Sequence, residues 1–177
     1  MDRRHDQPVP RSTFLPLAAL PVADLAAGGG RVELYLSPSG FEADAAAAAL
    51  TVLLRAEDAK SERLLLEVSD RFAGAEDRSP LTRVSTARVW RSGVAATGGR
   101  RRDWVLLLEE CRAAYATTLI ALGGSDPGLQ TRLAGLADRT VVVSRAGRGE
   151  LAHTHRLVRR LRGDGVYRCE CMWLDAA

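Results

Sequence analysis

Lysine is almost missing from this sequence of 177 residues: Lys60 stands alone among many arginines. Together with the abundance of alanine and glycine, that bias reads as GC-rich coding rather than as a functional signature. Aromatic residues are also scarce, at 5%, so no stretch interleaves rings with basic side chains in the way that binds single strands. The net charge is only +3, without the concentrated basic excess of a nucleic-acid binder, and no nucleic-acid partner is expected. Three cysteines are too few for a disulfide framework and fit a reducing compartment. No apolar run reaches the length of a membrane span. The basic start MDRRHDQPVPRSTF has no apolar stretch behind it, so it does not read as a secretory signal. A cytoplasmic protein is the expectation.

What is present divides in two. Residues 1–30 carry Pro8, Pro10, Pro16, Pro21 and the run Gly28-Gly29-Gly30, the composition of an extended arm and linker. Residues 31–177 alternate strand and helix patterns, and the length suits one domain with a full core. Val32 to Leu36 reads as a strand. Ala43 to about Asp58 reads as an alanine-rich helix with Leu50, Leu53 and Leu54 inward. Glu62 to Ser69 is a largely apolar strand, as in a buried parallel sheet. Within Arg83 to Val94, ARVWRSGV suggests an edge strand, and Gly98 to Arg102 a basic loop.

Asp103 reads as the N-cap of a helix on which Trp104, Leu107, Leu108, Cys111, Ala114 and Tyr115 share one face. Thr117 to Leu122 is the next strand, ended by Gly123-Gly124. Ser125-Asp126-Pro127 opens a helix with Leu129, Leu133 and Leu136 on its apolar face. Thr140 to Ser144 is a strand, Gly149 to Arg162 a helix closed by Gly163 and Gly165, and Val166 to Leu174 a last strand. This order predicts an α/β three-layer sandwich around a mainly parallel sheet.

In such sheets ligands bind beyond the carboxyl ends of the strands, which directs attention to four turns: Ser37 to Asp44, Ser69 to Gly74, Gly123 to Pro127 and Ser144 to Gly149. The turn after the first strand offers Ser37, Ser39 and Gly40, but Glu42, Ala43 and Asp44 where a phosphate cradle uses lysine and a hydroxyl. The two acids complement the helix dipole themselves and repel a triphosphate. Ser69 and Asp70 follow the second strand, where an acid could place a metal or water or simply end the strand. Gly123, Gly124 and Ser125 form a candidate anion turn on backbone amides, or a plain turn and cap. Arg156, Arg159, Arg160 and Arg162 read as a solvated helix face, with an acidic partner or an anionic membrane surface as the functional alternative. His153 and His155 point to nearly opposite sides of their helix. Cys169 and Cys171 share a strand face, but their apolar neighbours suit buried, inert thiols. No metal site is expected.

With these elements in place, the sequence resembles the bacterial tyrosine-kinase branch of the MinD/ParA-like P-loop ATPases, the partners of exopolysaccharide chain-length proteins. The resemblance runs over about residues 31–175 and is best in LLLEECRAAYATTLIALGG and in GLADRTVVVSRAGRGELAHTHRLVRRLRGDGVYRCECMWLD, with VSRAG the closest local match. It implies a P-loop NTPase-like fold. It also places departures on the catalytic positions: the Walker A glycine, lysine and serine fall on Glu42, Ala43 and Asp44, the Walker B-like aspartate on Ala121, and the Walker A′ segment on Glu67 to Arg71 with Ser69 and Asp70. Phosphoryl transfer depends on charge neutralisation by lysine and magnesium, so ATP and Mg²⁺ binding are expected to be lost. The resemblance implies a pseudokinase scaffold at the inner face of the bacterial inner membrane. Its expected role is to bind a membrane co-polymerase or chain-length protein in polysaccharide export, with homo-oligomers as an option. Two other readings stay open: an active nucleotide- or sugar-nucleotide-binding enzyme using Gly123-Gly124-Ser125, and a MinD/ParA-like positioning adaptor.

Overall fold

The computed structural model describes residues 30–38, 42–55, 62–69, 82–84, 87–92, 101–123, 126–145 and 148–174. The expected N-terminal arm, apart from Gly30, lies outside the described residues. The elements in chain order are β1 (Arg31–Leu36), α1 (Glu42–Arg55), β2 (Arg63–Ser69), β3 (Thr82–Val84), β4 (Ala87–Ser92), α2 (Arg101–Ala114), β5 (Thr117–Gly123), α3 (Pro127–Ala134), β6 (Arg139–Arg145), α4 (Arg148–Gly163) and β7 (Cys169–Leu174). Among the described residues the strands form one sheet in the order β3-β4-β2-β5-β1-β6-β7. Every pairing is parallel except that of β3 with β4.

The period-two alternation of the strands sorts their side chains into two cores. Val32, Leu34, Leu36, Leu64, Leu66, Ile120 and Val142 pack under Trp104, Leu108 and Cys111 of α2, Leu129 and Leu133 of α3, and Leu157 and Leu161 of α4. On the other face Tyr35, Leu65, Leu119, Ala121 and Val141 pack under Ala45, Ala48, Ala49 and Leu53 of α1. The three layers are thus α2–α3–α4, sheet and α1.

The amino edge of the sheet is tied by polar contacts. Asp138, just before β6, exchanges bonds with Val32: the Val32 amide donates to Asp138 Oδ2 at 2.8 Å, and the Asp138 amide donates to the Val32 carbonyl at 2.9 Å. Arg112 holds the other carboxylate oxygen at 3.2 Å and the Leu136 carbonyl at 2.9 Å. Gly30 donates to the Arg112 carbonyl, and a Cβ added there would stand 1.8 Å from the Tyr115 carbonyl oxygen. Only glycine lets the chain enter β1 this close to the end of α2.

A second polar group sits on the α1 face. Buried Glu33 accepts from the Tyr35 hydroxyl at 3.0 Å and pairs with Arg31 at 3.0 Å and with Arg139 at 3.4 Å. Burial, then the neighbouring Glu33 charge and hydrogen bond, push the Tyr35 phenol well above its ordinary range. Arg139 continues outward to Glu170 at 2.6 Å. The hydrogen bond and charge of Arg139 hold the Glu170 carboxyl below its ordinary 4.5. A depressed folded pKa gives stability that is fully present above the ordinary value and is lost as pH falls through the lower folded one. Glu170→Gln is therefore expected to be slightly less stable than the parent at neutral pH, with the difference closing as urea melts are taken below pH 4.5. An equal deficit at every pH would refute the assignment.

Several expectations need correction. ARVWRSGV supplies β4, but β3 caps the sheet and β4 lies one strand inside it, a non-local arrangement that strand patterning does not encode. Arg101 and Arg102 belong to α2 rather than to a basic loop, so Asp103 stands inside the first helical turn and not at its N-cap. Leu54 is 52% exposed, because the small face of Ala45, Ala48 and Ala49 already brings α1 against the sheet and the buried stripe ends at Leu53. The helix opened at Ser125-Asp126-Pro127 is α3, capped by Asp126, whose side chain accepts from Gly128 at 2.8 Å, with Pro127 at its first turn.

The cysteines separate by depth. Cys111 is fully buried, and desolvation pushes its thiol up to about 12. Burial, more than the neighbouring Cys171 charge, also raises Cys169. Cys171 is exposed, contrary to the buried thiol expected, because β7 is an edge strand. A thiol reagent is expected to label Cys171 first, Cys169 more slowly and Cys111 only as the chain unfolds. Early labelling of Cys111, read by peptide mass, would contradict this packing.

Candidate functional site

The parallel strands bring their carboxyl ends to one rim. The register aligns Leu36 of β1 with Leu122 of β5 and Val142 of β6, and Ser69 of β2 with Gly123 of β5. Ser37, Ser69, Gly123 and Ser144 therefore lie along one edge, the part of the fold where loops can surround a ligand.

On that rim Ser37 and Pro38 leave β1 buried, with Ser37 1% exposed. Ser39 and Gly40 lie outside the described residues. α1 begins at Glu42; Ala43 is exposed and Asp44 is 4% exposed. A buried carboxylate in the first turn of α1 faces the positive end of the helix dipole, which is where a bound phosphate would gain its stabilisation. Ala121 is buried among the residues packed on α1 and pairs in register with Tyr35 and Glu67. Glu67 is itself buried, two positions beyond the α1-facing Leu65, and so shares its face. Glu67 is the first residue of the segment onto which the resemblance places Walker A′, and an acid inside an apolar strand was its visible signal.

The remaining candidates divide. Ser69 ends β2 beside Gly123, while Asp70, Gly124 and Ser125 lie outside the described residues. Ser144 is buried and accepts from Thr154 of α4 at 2.7 Å, which fixes that helix over the end of β6. His153 and His155 are both exposed, and among the described residues no group of three or more His, Cys, Asp or Glu side chains could hold a metal ion.

The arginine-rich helix differs from its expected role. Arg159 and Arg162 are exposed, but Arg160 is half-buried and its terminal nitrogen donates to Gln130 Oε1 of α3. His153, Arg156, Leu157 and Arg160 line an open cleft of about 330 Å³ with Gln130, Ser37 and Pro38. The i, i+3, i+7 spacing of His153, Arg156 and Arg160 was legible; the matching Gln130 was not, since it depends on how two helices meet.

A mainly parallel sheet with β1 between β5 and β6 and helices on both faces make a three-layer α/β fold. This is the fold of the ParA and MinD ATPases. The chain superposes on a ParA family ATPase from Chlorobium tepidum TLS with a TM-score of 0.63 and 13% identity, over 81% of this chain and 73% of that one. It matches the MinD cell division protein of Aquifex aeolicus with a TM-score of 0.55 and 15% identity, over 81% and 68% of the two chains. It also matches the BceF tyrosine kinase domain with a TM-score of 0.59 and 16% identity, over 82% and 69%. No protein-family model matches the sequence, and no curated protein matches it. Among the described residues no helix is long and apolar enough to cross a membrane.

Proposed function

We propose that this chain is a P-loop-fold scaffold that does not transfer phosphoryl groups. In this reading it supports exopolysaccharide biosynthesis or export by binding the cytoplasmic end of a membrane co-polymerase or chain-length protein. The observation that carries the first half is Asp44: a carboxylate 4% exposed in the first turn of α1, beside the bare methyl of Ala43, at the positions where the resemblance puts a hydroxyl and a lysine. A triphosphate approaching that turn meets negative charge instead of a cation. Ala121, buried at the Walker B-like position, has no side-chain oxygen to offer a magnesium ion. ATP and magnesium do not fit these residues.

The second half draws on the likeness to the BceF tyrosine kinase domain and on the local match at VSRAG. Affinity capture of the tagged chain from its native membranes, followed by mass spectrometry, tests it. Recovery of a polysaccharide co-polymerase supports the scaffold; recovery of division or segregation proteins instead would favour a positioning adaptor of the MinD/ParA kind.

A further inference from the structure

The cleft between α3 and α4 has a polar lining that the proposed scaffold role does not call upon. Its polar lining is Ser37, Gln130, His153, Arg156 and Arg160, with no carboxylate among the described lining residues, and Pro38 and Leu157 supply an apolar wall. Ser37 is 1% exposed, yet its Oγ has no hydrogen-bond partner among the described residues. A buried hydroxyl left unbonded is costly. Arg160 is held in place by its bond to Gln130, while its Nε is buried with no partner among the described residues. Two donors are thus already desolvated and positioned, next to the second guanidinium of Arg156. That arrangement suits a tetrahedral oxyanion, whose several acceptor oxygens can meet guanidinium and hydroxyl donors together.

We propose that this cleft binds the phosphate of a small phosphomonoester, with its carbon portion against Pro38 and Leu157. A volume of about 330 Å³ lies at the small end of ligand pockets, which favours a compact metabolite over a macromolecular surface. Ser37 and Pro38 begin the connection from β1 to α1, but the other lining residues are on the α3–α4 side of the sheet, whereas α1 with Asp44 packs on the opposite face, so the proposal does not rest on the scaffold reading.

Calorimetric titration of the full chain with inorganic phosphate and with glycerol 3-phosphate, at constant ionic strength, tests the proposal. Saturable one-to-one binding with a Kd of about 1 mM or tighter is expected, stronger for the ester. Arg156 is exposed, so Arg156→Ala should leave the fold intact and weaken binding about tenfold or more. Ser37→Ala should weaken it less. Arg159→Ala, whose side chain lies outside the cleft, should leave it unchanged. No saturable binding would overturn the proposal, as would equal weakening by Arg159→Ala, or binding to anionic vesicles without binding to either probe. Phosphate affinity that responds to Asp44→Asn but not to Arg156→Ala would place the anion at α1, overturning this cleft and the scaffold reading together. Binding of ATP alone at α1, with phosphate still lost in Arg156→Ala, would sink only the scaffold reading.

Discussion

Trp104→Ala is expected to cost about 3–5 kcal/mol of unfolding free energy, the range for truncating a fully buried aromatic side chain. Trp104 is completely buried in the first part of α2, and it shares a core with Val32, Leu34, Leu36, Leu64 and Leu66 of the two strands flanking β5. Removing the indole leaves a void against strands that are themselves fixed by parallel pairing on both sides, so little relaxation can fill it. In urea melts the midpoint should fall with the slope nearly unchanged. The matched control is Trp173→Ala on the edge strand β7, where the indole is 50% exposed and the loss should be about 1 kcal/mol or less. Similar losses for the two variants would mean that α2 does not clamp the sheet as described.

Trp104 also shows why this part of the fold could be read from sequence. Trp104, Leu107, Leu108, Cys111 and Tyr115 repeat at the helical period because one face of α2 meets one flat surface, and local period is what a sequence displays. The apolar run Leu64 to Val68 was legible for the same reason: a strand buried on both faces needs no alternation. Strand order was not legible. β4 pairs with β2 from 63 to 92 along the chain, and nothing in ARVWRSGV states that the three-residue β3 will cover its outer edge. The candidate site divides along the same line. Asp44 and Ala43 are visible as wrong residue types for a phosphate turn, since that judgement needs only their distance from Gly40. The cleft is invisible, since Ser37, Gln130 and Arg160 are brought together by two crossovers and by the meeting of α3 with α4. Arg160 read as solvent-facing because its partner lies 30 residues away.

The scaffold reading makes its sharpest demand at the turn after β1. The parent chain is expected to show no saturable Mg-ATP binding at micromolar concentrations. The triple variant Glu42→Gly, Ala43→Lys, Asp44→Thr should bind the triphosphate at least about a hundredfold more tightly. The substitutions remove two negative charges and add one positive charge in the first turn of α1, reversing the local field at the end of a helix whose dipole already favours anions. Glycine at position 42 also allows the close approach of backbone to phosphate that a phosphate turn uses. A charge-assisted hydrogen bond contributes about 1.5–3 kcal/mol, and each 1.4 kcal/mol is about tenfold in affinity; one such bond plus relief of repulsion accounts for the gain. Hydrolysis should not return with binding, because Ala121 still offers magnesium no ligand from β5. Asp44 is buried, so urea melts of the variant must first show that the fold survives. Given an intact fold, equal affinity for Mg-ATP in parent and variant would remove the basis for calling this turn inactive, and micromolar binding by the parent would return the chain to the ATPases whose fold it shares.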